Sequence, residues 1–212
     1  MSLAFINEWY IFSEVVDKTT CNKIKRLGQG KWEPSAVDTS KGVTDEERKT
    51  GRKGDYKVDP KSRISDVAWV TDQWVYDTIW PFMQEANDEA GWGYHIKAAE
   101  SMQITRYRKG GFYNFHRDGN GDHLSAYHSP NNAFMHGHVR KLSMTTLLSD
   151  NYEGGEFQFA SYSKEECTIS TPEFSKVGSI VVFPSSMEHR VSPVTKGIRH
   201  SLVTWFLGPP FV

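Results

Sequence analysis

The feature that most limits how this chain can fold is a change of hydrophobic period near Gly93. Upstream, residues 13–27 place Val16, Cys21, Ile24 and Leu27 near helical spacing, with Asp17 positioned to cap and Gly28 to stop a helix. Residues 66–89 return to that spacing through Val70, Trp74, Val75, Ile79, Phe82 and Met83. Pro81 is expected to kink this second helix or to start another. Downstream the period falls to two. Met102, Ile104 and Arg106 alternate with Gln103, Thr105 and Tyr107, and Leu142, Met144 and Thr146 repeat the pattern. Further short runs follow at 157–159, 180–183 and 200–206. Gly110-Gly111, Gly154-Gly155, Pro184 and Pro193 punctuate them. Helices first and many short strands afterwards predict an α+β, mainly β architecture, with helices at the N-terminal side supporting a sandwich or jelly roll. No repeat or linker divides it. One domain over 1–212 is expected, with 1–95 as helical support and substrate-groove region and 96–212 as the β core.

At 212 residues the chain is long enough for a real core, since about 70% of the unfolded surface is buried at this size. Lys+Arg 25 against Asp+Glu 26 gives a net charge of -1, which disfavours a protein that lives by phosphate contacts. Two cysteines, Cys21 and Cys167, lie far apart, so neither a disulfide framework nor a cysteine metal site is expected. No apolar run reaches the roughly 18 residues of a membrane span, and the first residues lack the basic start of a signal peptide. A cytoplasmic location is the expectation. Residues 35–61 and 119–138 are polar, glycine-bearing stretches that read as long loops, with Gly154-Gly155 as a turn or bulge.

The eight histidines carry the chemistry. In an extended chain residues i and i+2 point to one side, so His116 and Asp118 can face a single point. His189 supplies a third donor just past the break at Pro184. Two imidazoles and one carboxylate form the facial ligand set of non-haem Fe(II) oxygenases, which leaves open positions for substrates. Arg199 lies ten positions after His189. Pro193 and Gly197 between them suggest a strand–turn–strand hairpin that folds Arg199 back beside the metal face. There a guanidinium can grip the far carboxylate of a dicarboxylate, and the Tyr107 hydroxyl is placed to add a hydrogen bond. His136-Gly137-His138 is a competing pair, but residues 139–142 lack the Glu that a cupin metal motif would want. Those two histidines, with His95, His123, His128 and His200, read as loop or surface residues. Trp69, Trp74 and Trp80 read as core.

Taken together, Y-x-x-G at 107–110, H-x-D at 116–118, the strand KLSMTTLLSDNYEGGEF and the run GSIVVFPSSMEHRVSPVTKGIRHSLVTWF resemble the prolyl 4-hydroxylase-type family of Fe(II)/2-oxoglutarate dioxygenases, with its bacterial and viral PKHD-type branch. The resemblance implies a double-stranded β-helix, iron at His116, Asp118 and His189, and 2-oxoglutarate held by Arg199 and Tyr107. It further implies L-ascorbate as reductant and a prolyl residue of a peptide or protein as target, with 2-oxoglutarate decarboxylated to succinate and CO2. Arg63 in R-x-S, Trp69 and Trp205 are then expected at the substrate groove, with 35–61 and 119–138 as its movable walls. Many family members carry Lys where Arg199 stands, although PKHD-type relatives use Arg. Two other classes remain: a non-catalytic jelly-roll binding module, against which the intact triad argues, and a 2-oxoglutarate oxygenase acting on a free amino acid, a small metabolite or nucleic acid.

Overall fold

The computed structural model describes residues 7–38, 56–119, 125–163 and 166–211; the expectations for 39–55 and 120–124, parts of the two long polar stretches, lie outside the described residues. Strand β1, Tyr10–Phe12, precedes helix α1, Lys18–Leu27. Asp17 caps α1, its carboxylate accepting from the Thr20 backbone N–H at 3.0 Å and the Thr20 hydroxyl at 2.6 Å. The helix therefore begins later than the 13–27 spacing suggested. Residues 14 and 16 are tied to the sheet instead: the Glu14 N–H donates to Ser179 Oγ and the Val16 N–H to the Gly178 carbonyl. Glu14, at φ 54, cannot continue a helix.

Four short strands follow: β2, Glu33–Pro34; β3, Val37–Asp38; β4, Tyr56–Lys57; β5, Arg63–Ile64. Residues 66–89 divide in two, a correction to the single helical span. Asp66–Val70 is strand β6, and helix α2 runs from Gln73 to Glu89. Val67 and Val70 carry the β-branched character that suits a pleated surface, and pairing with the strand at 102–107 overrides the helical spacing. Pro81 neither ends nor restarts α2; the helix continues through it, forgoing the one ladder bond that Pro cannot donate.

The β core continues with β7, Ala98–Ala99; β8, Met102–Tyr107; β9, Phe112–His116; β10, Val139–Leu147; β11, Tyr152–Gly154; β12, Phe157–Tyr162; β13, Cys167–Ser170; β14, Ile180–Pro184; β15, Glu188–Val191; β16, Val194–Gly197; and β17, Arg199–Gly208. The larger sheet has the order β1-β14-β10-β17-β8-β6-β2, with β7 beside β17, and the smaller one β13-β12-β15-β9-β5. Every pairing is antiparallel among the described residues. Both helices cover the outer face of the larger sheet, where Cys21, Ile24, Ile79 and Met83 meet Ile104, Met144, Leu202 and Phe206. Each such fully buried side chain contributes roughly 1.5–3 kcal/mol. A second apolar cluster, including Tyr107, Phe157, Phe159, Phe183 and Val191, fills the space between the sheets. The fold is a double-stranded β-helix, or jelly roll, supported by helices on its N-terminal side.

The expected hairpin between His189 and Arg199 does not form. β16 pairs with β11, while β15 belongs to the smaller sheet and β17 to the larger. The chain thus crosses from one sheet to the other, and this crossing puts Arg199 on the larger sheet while His189 stays on the smaller. Gly154 and Gly155, both at positive φ, form the bulged turn expected of them. Of the three tryptophans assigned to the core, Trp80 packs edge-on against Phe206 at 5.6 Å, whereas Trp69 and Trp74 are 46% and 38% exposed. Trp69 moves out because alternation on β6 turns it away from the helices that Ala68 and Val70 face. No helix among the described residues is long and apolar enough to cross a membrane. Cys21 and Cys167 are both free.

One pH dependence follows from this packing. Burial, with Lys25, Arg106 and Arg108 nearby, depresses His200 to about 4. The unfolded chain then binds a proton that the folded chain refuses between about 6.5 and 4, so this contribution is complete above pH 6.5 and is lost as pH falls towards 4. Urea midpoints should fall from pH 7.5 to pH 5, and His200→Gln should flatten part of that slope. An identical slope in the variant contradicts the assignment.

Candidate metal centre

His116 ends β9 and His189 lies in β15, and the two are direct partners in the antiparallel ladder. Their imidazoles therefore stand side by side, with centroids 4.2 Å apart. Asp118, two residues on, is fixed where its backbone N–H donates to the Ser185 carbonyl at 3.0 Å. One donor atom from each of His116, Asp118 and His189 lies within 4.8 Å of the others, the only such group of three among the described residues. Asp118 Oδ1 is 3.8 Å from His116 Nε2, and Oδ2 is 3.6 Å from His189 Nε2. Asp118 and His189 are buried, so the centre lies deeper than a pocket rim.

Both rings are held in one tautomer. His116 Nδ1 faces the Asn114 carbonyl at 2.8 Å and His189 Nδ1 the Met187 carbonyl at 3.0 Å. A carbonyl only accepts, so each Nδ1 carries the proton and each Nε2 lone pair points at the centre. Burial, then the neighbouring His189, pushes His116 down to about 3. For Asp118 burial works upward, but His189, His116, Arg140 and the Ser143 hydroxyl together hold its carboxyl at about 2. Two imidazoles and a carboxylate are a donor set that suits a divalent transition metal with open positions. Tyr113 stacks on His116 at 3.5 Å, and Phe157 and Phe183 flank His189 at 5.5 and 4.7 Å.

Arg199 opens β17 directly opposite Tyr107 of β8. It is 1% exposed, and its Nη1 donates to Ser201 Oγ at 3.0 Å. Its Nε and Nη2 are buried without any partner, and no carboxylate among the described residues pairs with it. The guanidinium sits 5.7 Å from the Tyr107 ring centre and 6.0 Å from that of Tyr152. A Cβ at Gly155 would come within 3.1 Å of Arg199 Cδ, so the bare glycine makes room for this side chain. An uncompensated buried cation is costly unless an anion joins it. The residues present fit a carboxylate ligand at this spot.

The three expected groove residues lie on the same side. Arg63 is buried, donating to Gln103 Oε1 at 2.9 Å and Ser65 Oγ at 2.8 Å with its guanidinium 4.5 Å from the Tyr113 ring centre. Trp205 lies 6.4 Å from Trp69, and Arg140, bidentate to Glu100 at 2.6 and 2.7 Å, covers the Trp205 ring at 4.1 Å. Trp205 Nε1 is buried without a partner. Tyr113, Arg140, Glu100, Ser143 and Ser185 were not singled out in the sequence. Only Ser143 left a signal: a polar residue alternating with Leu142 and Met144 marks a polar inward face. His128 and His136 pack against each other in an exposed segment and join no metal cluster among the described residues.

Residues 102–207 match the model of the 2OG-Fe(II) oxygenase superfamily. The chain is 37% identical over 114 residues to a PKHD-type hydroxylase of Synechococcus sp. (strain CC9902), a match covering 52% of this chain and 42% of the relative. A PKHD-type hydroxylase of Stenotrophomonas maltophilia (strain R551-3) is 33% identical over 112 residues, covering 49% and 41%. The chain thus spans less than half the length of these relatives. Among solved structures, the viral collagen prolyl hydroxylase of Paramecium Bursaria Chlorella virus-1 superposes with a TM-score of 0.60 at 17% identity, covering 98% of this chain and 99% of that one. A Pseudomonas putida prolyl-4-hydroxylase gives 0.57 at 14% identity, covering 94% and 91%. The matched residues contain the whole His116–Asp118–His189 cluster and Arg199, and the chain belongs to the 2OG-Fe(II) oxygenase superfamily, a family of oxidoreductases whose PKHD-type members it resembles.

Proposed function

We propose that this chain is a dioxygenase that hydroxylates an unactivated C–H bond, with a prolyl residue of a peptide or protein as its target. In the overall reaction one atom of O2 enters the new alcohol and the other enters succinate, as 2-oxoglutarate loses CO2. The observation that carries the reading is the buried Arg199, two of whose N–H donors lack partners, facing the interior that also holds the His–Asp–His cluster. His116 Nε2, His189 Nε2 and the Asp118 carboxylate would hold Fe(II), which when bound supplies oxygen activation and C–H oxidation. Arg199 grips the far carboxylate of 2-oxoglutarate with charge-assisted bonds, and Tyr107 closes the same corner. Phe157, Phe159 and Phe183 keep water from the imidazole of His189. L-Ascorbate serves as the external reductant.

The prime substrate lies over Arg63, Trp69 and Trp205. Two tryptophans suit a ring such as proline's, and the unpartnered Trp205 Nε1 suits a peptide carbonyl. The PKHD-type relatives and the prolyl hydroxylase folds support this choice of target. The test is mass spectrometry of proline-rich peptides and of free proline, each incubated with the protein, Fe(II), 2-oxoglutarate and ascorbate. Peptides should gain the mass of one oxygen atom at proline. Oxidation of free proline alone would transfer the reading to a small-molecule substrate. Succinate formation with neither modified would exclude proline altogether.

A further inference from the structure

The turn between β14 and β15 orders the cluster from behind. Its Met187 carbonyl accepts from His189 Nδ1, and its Ser185 carbonyl accepts from the Asp118 backbone N–H. Its Ser185 hydroxyl lies 2.9 Å from Ser143 Oγ, and Ser143 Oγ donates to Asp118 Oδ2 at 2.7 Å. The Ser185 N–H in turn donates to the Lys141 carbonyl at 3.0 Å, which fastens the turn to β10. Ser185 and Ser143 are 0% and 1% exposed, so water does not substitute for either contact.

The direction of this chain follows from its end. A carboxylate only accepts, so the Ser143 proton goes to Asp118 Oδ2. The lone pair of Ser143 then receives the Ser185 proton. Two hydroxyls in series polarise each other and strengthen the terminal bond. One carboxylate oxygen is thereby engaged, while Oδ1, on the His116 side, has no hydrogen bond among the described residues.

We propose that Ser143 and Ser185 form a positioning relay that holds Oδ2 of Asp118 and so fixes the carboxylate between the two imidazoles, 3.8 Å from His116 Nε2 and 3.6 Å from His189 Nε2. Neither serine touches substrate; both act through Asp118. The inference rests on the reading of His116, Asp118 and His189 as a metal centre, but not on the identity of the prime substrate. Outer partners of this kind typically alter metal affinity by about 10–100-fold when removed. Ser185 works only through Ser143, so the two substitutions must not add.

The experiment is calorimetric titration of the metal-free chain with Co(II), paired with the visible absorption of the Co(II) form; no 2-oxoglutarate or peptide is needed. Ser143→Ala should weaken Co(II) binding by about 10–100-fold and shift the ligand-field bands, because the freed carboxylate changes how it is held. Ser143→Thr, which keeps the hydroxyl, should restore both. Ser185→Ala should weaken binding less, and adding it to Ser143→Ala should change nothing further. Melting of each metal-free variant identifies the folded ones, and Ser185→Ala with the double variant provides the same test if Ser143→Thr proves too bulky. A folded Ser143→Ala form with wild-type affinity and bands overturns the relay alone. Full additivity of the two alanines also overturns it, leaving separate structural roles. A wild-type chain that binds no Co(II) overturns the metal centre and the relay together.

Discussion

Replacing Arg199 by Met is expected to raise the 2-oxoglutarate concentration needed for half-maximal turnover by about 100-fold or more. The reason lies in the free protein: a fully buried guanidinium with Nε and Nη2 unpartnered holds its donors ready for a carboxylate. Charge-assisted hydrogen bonds to an ionised group contribute about 1.5–3 kcal/mol each, so losing two of them accounts for that factor. Arg199→Lys should recover part of it, since an ammonium keeps the charge but not the fork. The same substitution makes a second, opposite prediction. Without 2-oxoglutarate the Met variant should melt higher than the parent, because an uncompensated buried cation has been exchanged for an apolar chain of similar length. Titration of 2-oxoglutarate against succinate formation, with melting curves in its absence, checks both. Unchanged 2-oxoglutarate dependence in the Met variant removes Arg199 from the co-substrate pocket.

Alanine at His116, Asp118 or His189 is expected to remove metal-dependent turnover, by at least about 1,000-fold, since a facial set reduced to two donors no longer holds the metal with its open positions. Alanine at His136 should leave metal binding unchanged, since His136 belongs to no metal-ligating cluster among the described residues. Stability separates the three ligand positions. His189 is wedged among Phe157, Phe159 and Phe183, so its alanine leaves a void and lowers the melting temperature as well as activity. Asp118→Ala takes the acceptor from the buried Ser143 hydroxyl but also removes a buried charge, so its effect on melting should be smaller. Binding of Fe(II) or Co(II) to each variant, set beside its melting temperature, distinguishes a lost ligand from a lost fold. Loss of metal binding in His136→Ala, with His189→Ala unaffected, would refute the assignment.

Local chemistry by itself determined much of this protein. The H-x-D pair was legible because i and i+2 share a side in any extended segment, whatever sheet the segment joins. Asp17 as a helix cap and Gly154-Gly155 as a bulged turn were legible for the same kind of reason: a short polar side chain or a missing Cβ acts on its own neighbours. The β character of the second half followed from its period of two. Pairing partners, by contrast, depend on residues far away in the chain. DVAWV at 66–70 carries helical spacing, yet β8 recruits it as a strand. RVSPVTKGI between His189 and Arg199 has the punctuation of a hairpin, yet β16 pairs with β11 and the chain changes sheets. That crossing, invisible in sequence spacing, puts Arg199 on the larger sheet while His116 and His189 stand on the smaller. Ser143 and Ser185, forty-two positions apart, meet at one carboxylate only because β10 and β14 are neighbours in the larger sheet. The sequence determined which groups were available and which way each local segment could turn; the long-range ladder decided which of them stand within hydrogen-bond reach of one another.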